Sequence, residues 1–154
     1  MVLVLRVKHP TKVIVWGMIS IHGPGRLHVC KGIVNAQKYI DILRGRMIPQ
    51  LREWFPNPGD DYIFMQDGAP CHTAKSVKAY LSKEHVPLLP WPGNSPDLNP
   101  IENLWRSLKR EIYCNGGQFN GKHDLWEAVN VTANNVSAST IANLTSDVDN
   151  CNEC

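Results

Sequence analysis

Two carboxylates in this sequence stand where chemistry can be done. Asp67 ends the apolar run YIFMQ (62–66) and is followed by Gly-Ala-Pro, and Glu102 closes the tetrapeptide NPIE (99–102) at the start of an amphipathic stretch. Acids delivered by two separate elements and held about 4 Å apart repel by roughly 4 kcal/mol at an effective dielectric near 20. They then share a cation, or one of them keeps its proton. Mg²⁺ takes oxygen ligands in octahedral geometry, commonly one or two carboxylates plus substrate phosphates. Such a site activates water or a hydroxyl for in-line attack on a phosphodiester. Arg106 and Lys109 follow Glu102 at i+4 and i+7, on one side of a helix and within reach of a bound phosphate. Each acid also has an ordinary structural use. Asp-Gly is a common turn dipeptide, and a Glu three residues after an Asn cap can bond back to the Asn99 amide.

The elements that must position these acids are legible in outline. VIVWGMIS (13–20) reads as a buried strand, Gly23-Pro24-Gly25 as a turn, and RLHVC (26–30) as its hairpin partner. Residues 35–55 carry apolar side chains at helical spacing, with Asn35 as N-cap and Pro49 dividing the helix. The run 62–66 predicts a strand that delivers Asp67 to the carboxyl edge of a sheet, where α/β proteins place their sites. Thr73 is positioned to cap a helix over 74–84, and VPLLPW (86–91) predicts a short strand. After a Pro/Asn-rich loop, Asn99 as N-cap and Pro100 at the first position open a helix with Ile101, Leu104, Trp105, Leu108 and Ile112 on one stripe. Two weaker helices, near 124–135 and 138–147, complete a layered α/β domain over residues 1–154.

Composition narrows the function classes. The 154 residues carry a net charge of +2, but residues 1–50 hold eight Lys/Arg against the single acid Asp41. That imbalance suits a polyanion, and equally a solvated basic face. No apolar run approaches the ~20 residues of a membrane helix, and MVLVLRV is too short and too interrupted by charge for a leader. Five isolated cysteines, with only Cys151 and Cys154 as C-x-x-C, favour free thiols over a disulfide framework or zinc site.

VIVWGMIS, NAQKYIDIL, FMQDGAPCHTAK and LPWPGNSPDLNPIENLWRSLKREI together resemble the catalytic domain of mariner-superfamily cut-and-paste transposases, in the Tc-one-like branch. The thirty-four residues between Asp67 and Glu102 match that branch's spacing between its second and third acids. The resemblance covers residues 13–112 well and 113–154 weakly. It implies a ribonuclease-H-like fold, a mixed central sheet flanked by helices, and Mg²⁺- or Mn²⁺-dependent cleavage and strand transfer of DNA. Asp67 and Glu102 then map to catalytic metal ligands, with His72, Asp97 and Asn99 in support and Arg106, Lys109 and Arg110 as DNA contacts. Cys71 is not a nucleophile, and Trp91 and Trp105 belong to the core. The implied partners are transposon-end and target DNA, with a homo-oligomer allowed and no membrane, and the implied location is nuclear.

The sequence departs from that pattern at one point. The family's first aspartate lies on a strand upstream of VWG, whereas residues 1–40 contain no Asp or Glu. The first strand is therefore missing, or its slot beside residues 62–66 is filled by residues 2–7, which offer no carboxylate. An incomplete, catalytically impaired domain is expected, with a repurposed non-catalytic DNA-binding or interaction module as the alternative.

Overall fold

The computed structural model describes residues 2–6, 12–90, 99–114, 119 and 121–136. These form two compact units, one from residues 1–30 with 97–154 and one from residues 31–96.

The first unit is built on a three-stranded antiparallel sheet of order β1–β2–β5 (Val2–Arg6, Lys12–Trp16, His28–Cys30). β2 is its centre, pairing from Val2↔Trp16 to Arg6↔Lys12 on one edge and from Ile14↔Cys30 to Trp16↔His28 on the other. Strand alternation puts Val13 and Val15 on one face, and both are buried. They join Ile101, Leu104, Trp105, Leu108 and Ile112 of helix α5 (Pro100–Cys114) and Leu125, Val129 and Ala133 of helix α6 (Lys122–Asn134) in one cluster. The apolar stripe of α5 thus covers the sheet as its spacing predicts.

VIVWGMIS is not one strand. The ladder stops at Gly17-Met18, and Ile19–Ser20 (β3) pairs instead with Gly23–Pro24 (β4) around a turn at Ile21-His22. The turn therefore precedes Gly23, whose φ of 117° needs a glycine, and does not fall on Gly23–Gly25. Position 17 at the break has no room for a side chain: an added Cβ would lie 2.7 Å from the Trp105 indole and 2.8 Å from Leu27. Gly17→Ala is accordingly expected to cost about 1–3 kcal/mol by overpacking. A lower denaturation midpoint at unchanged m-value is the measurement that checks it.

Residues 2–6 do form a strand, but its ladder runs to β2. The expected pairing with residues 62–66 is not among the ladders described. Residues 62–66 and 86–91 were predicted as full strands. Among their described residues they make a single parallel bridge, Phe64↔Leu88, closed by Phe64 N–H to Pro87 O (2.8 Å) and Leu89 N–H to Phe64 O (2.9 Å). Pro87 and Pro90 flank the bridge and have no N–H with which to extend it.

In the second unit, Asn35 caps α1 (Ala36–Ile42) by accepting the Lys38 N–H at 2.9 Å. The helix continues to Trp54 as α2 (Ile48–Trp54), but through a π-helical turn at Leu43–Met47 in which the Ile48 N–H reaches Leu43 O. Pro49 cannot bond the Gly45 carbonyl four residues back and would collide with it, so the helix widens just before the proline. α1 packs on α3 (Pro70–Thr73) and α4 (Lys75–Lys83), with Tyr39, Leu43, Met47, Val77 and Leu81 all buried. Thr73 is the last residue of α3 and not the cap of α4. Its hydroxyl donates back to Ala69 O, and Ala74 opens α4 without a side-chain cap. Residues 138–147, predicted as a helix, lie outside the described residues.

Candidate active site

Asp67 follows the Phe64 bridge and turns the chain with its own side chain, its Oδ1 accepting the Ala69 N–H at 3.1 Å. This is the local Asx bond that aspartate favours at turns. Pro70 starts the one-turn helix α3, which swings His72 back over the carboxylate so that His72 Nδ1–H donates to Asp67 Oδ1. The facing imidazole nitrogen carries the proton because an ionised carboxylate only accepts. His72 is 1 % exposed, and its ring lies 4.1 Å, centroid to centroid, from that of Tyr39. Asp67 Oδ2 accepts no hydrogen bond from a described residue.

The His72 hydrogen bond holds the Asp67 carboxyl down to about 2, from an ordinary 3.8, against an opposing push from burial. A depressed folded-state value contributes stability above the unfolded pKa, and that stability is lost as pH falls through the folded one. Since the side chain is one-third exposed (34 %), solvent screening trims the contribution to about 1–2 kcal/mol. Between pH 5 and 2 the metal-free chain is therefore expected to lose this increment, and Asp67→Asn to flatten that part of the curve. Urea titrations at stepped pH test it.

Glu102 stands in the first turn of α5, half-buried, three residues after Asn99. Asn99 is buried at 4 % exposure, its side-chain oxygen accepts the Ile101 N–H at 3.4 Å, and its carbonyl accepts the Glu102 N–H at 2.9 Å. The reciprocal capping-box bond from the Glu102 carboxylate to the Asn99 amide is not made, so the carboxylate carries no hydrogen bond or ion pair among the described residues. Acids are otherwise favoured here by the helix dipole. Arg106, Lys109 and Arg110 are exposed on the same helix, with Arg106 Nη1 donating to Asn103 Oδ1 at 3.2 Å. Asp97 and Trp91 lie outside the described residues. Trp105 is core, at 1 % exposure. Cys71 is a half-buried free thiol pushed up by burial and, further, by Asp67, a setting that opposes thiolate formation.

The structure thus joins Asp67 and His72 directly. Asp67 belongs to one unit and Glu102 to the other. Among the described residues no group of three or more His, Cys, Asp or Glu gathers as a metal site. Sequence reasoning missed Tyr39 and Gln66. The Tyr39 hydroxyl donates to Gln66 Oε1 at 3.0 Å, and Gln66 Nε2 donates to the His72 carbonyl at 3.0 Å. The signal was a tyrosine inside an apolar stripe, whose buried hydroxyl needs a partner.

Residues 4–125 match the family profile described as DDE superfamily endonuclease. The transposable element Tcb2 transposase of Caenorhabditis briggsae is 38% identical over 122 residues, 76% of this chain and 44% of that protein. The chain therefore spans less than half the length of that curated relative. Among solved structures, the Mos1 transposase catalytic domain with raltegravir and Mg superposes at a TM-score of 0.84 and 20% identity, over 98% of this chain and 79% of that one. The Mos1 transposase paired-end complex with left transposon end matches at 0.81 and 20%, over 94% and 42%. The fold is ribonuclease-H-like. On the profile match and the sequence identity, the chain belongs to the DDE superfamily endonucleases, as a catalytic-domain member of their mariner/Tc1 transposase branch.

Proposed function

We propose that this polypeptide is the metal-binding, DNA-engaging part of a cut-and-paste transposase, that it keeps two of three catalytic acids, and that on its own it cleaves DNA poorly or not at all. The observation that carries the reading is the state of the two acids. Asp67 is ionised with one oxygen committed and the other open, and Glu102 leaves its cap bond unmade at the start of an anchored helix. Both offer hard oxygen ligands of the kind Mg²⁺ or Mn²⁺ takes. A divalent ion held by carboxylates of this kind would supply electrostatic stabilisation at a phosphodiester and a deprotonated attacking oxygen. The chain's own contributions are to hold Asp67 unprotonated through His72, to present Glu102 from α5 with Asn99 fixing the helix start, and to meet phosphates with Arg106, Lys109 and Arg110. The reading of impairment is supported by residues 1–40, where β1 and β2 carry no acid. The substrates are transposon-end and target DNA and the site of action is the nucleus, a reading supported by the named transposases and the paired-end complex above.

Isothermal titration with Mn²⁺ and plasmid nicking with Mg²⁺ test the proposal. Weak Mn²⁺ binding lost in both Asp67→Asn and Glu102→Gln, without nicking, is expected. Mg²⁺-dependent nicking abolished by Asp67→Ala would show the impairment wrong, and Mn²⁺ binding indifferent to both substitutions would remove the metal site. The basic excess of residues 1–50, eight Lys/Arg against Asp41, favours a second reading, a non-catalytic DNA-binding module. Its mark is salt-dependent DNA affinity that survives both substitutions.

A further inference from the structure

The Asx bond from the Ala69 N–H is not the whole of what orients Asp67. Its Oδ1 is fixed by His72, and the imidazole in turn has no hydrogen-bond partner at Nε2 among the described residues. Beyond the Asp67 bond and the His72 N–H to Ala69 O bond of its own turn (2.9 Å), two contacts from outside α3 keep that ring in place. The Tyr39 ring lies against it, and Gln66 ties down its backbone. Gln66 is the residue before Asp67, and its amide is held at both ends, by the Tyr39 hydroxyl at one and the His72 carbonyl at the other. An amide gripped on both sides cannot flip, so its donor always faces His72. Tyr39 itself is fully buried on α1, which makes it the fixed end of the chain of bonds.

We propose that Tyr39 and Gln66 are positioning residues for Asp67, holding His72 so that its Nδ1–H occupies Oδ1 and Oδ2 stays open to a cation. The inference rests on the reading of Asp67 as a cation ligand. Side chains that orient a ligand in this way typically change metal affinity by about 10–100-fold when removed. Tyr39→Phe deletes only the hydroxyl, and Gln66→Met keeps the volume while deleting both amide bonds.

Two readouts on the full chain separate this role from simple packing. In nitrogen-15 spectra of the metal-free protein, the His72 Nδ1–H is expected to be protected, and to exchange about 10-fold faster in Tyr39→Phe and in Gln66→Met. Mn²⁺ affinity should fall by about 10-fold in both. His72→Asn, whose amide can donate to Oδ1, should keep more of the affinity than His72→Phe. Unchanged Nδ1–H exchange in both Tyr39→Phe and Gln66→Met would overturn the inference, even if melting temperatures fell. Should the parent chain bind no Mn²⁺ while exchange responds as stated, the cation reading fails and the positioning of the carboxylate stands.

Discussion

Asp67→Asn is expected to lower divalent-metal affinity by at least about 100-fold while leaving the chain folded. Losing a direct ligand should cost no less than losing a residue that orients one, for which about 10–100-fold is usual. Folding survives because the asparagine oxygen can still accept from His72 Nδ1–H and from the Ala69 N–H, the two donors that Asp67 Oδ1 satisfies. What goes is the charge-assisted part of those bonds, about 1 kcal/mol out of the 1.5–3 kcal/mol typical of bonds to an ionised group. Asp67→Ala should be worse for stability, by about 2–3 kcal/mol, since the buried imidazole N–H is then left without an acceptor. The informative outcome is the contrast between the variants. Both lose Mn²⁺ in calorimetry, but only the alanine variant drops strongly in the denaturation midpoint. Retention of Mn²⁺ by the asparagine variant would mean that the carboxylate is not a ligand.

The second large effect is on the fold. Trp105→Ala is expected to cost about 3–5 kcal/mol, a large share of the 5–15 kcal/mol that holds a typical domain together. Trp105 is 1 % exposed in the cluster that joins β2, α5 and α6. Its indole N–H has no hydrogen-bond partner among the described residues, so the ring contributes through apolar contact alone and Trp105→Phe should be much milder. The indole lies against Gly17, which gives a sharper test. Once the ring is gone, the indole's share of the Gly17→Ala cost should disappear while the Leu27 contact remains, a coupling of about 1 kcal/mol in a double-mutant cycle. Additive losses in that cycle would mean that something other than the indole excludes a side chain at position 17.

Helices were the most legible part of this fold, because their signals are local. Asn35 and Asn99 mark real starts, the stripe from Ile101 to Ile112 is buried as its spacing requires, and Pro49 disturbs its helix as a proline should. Strands were harder, since a run of apolar residues does not reveal how many partners it finds. Position 17, just past β2, must be glycine because of an indole eighty-eight positions later, and the prolines around Leu88 hold two predicted strands to one bridge. The candidate residues were legible at the level of residue type. Asp67, Glu102 and His72 are singled out by motif and spacing. The bond from His72 to Asp67, and the Tyr39–Gln66 link behind it, depend on α1 packing against α3, which no local pattern encodes.

The fit of the Trp105 ring onto the bare backbone of Gly17 also works as a detent for α5. A helix advances 1.5 Å and turns about 100° per residue, so sliding by a single position would swing the Glu102 carboxylate to a different side of its axis. One wide, flat side chain seated in one notch, less than a full turn from Glu102, forbids that slide. The azimuth of the acid is thereby tied to the residue that follows β2.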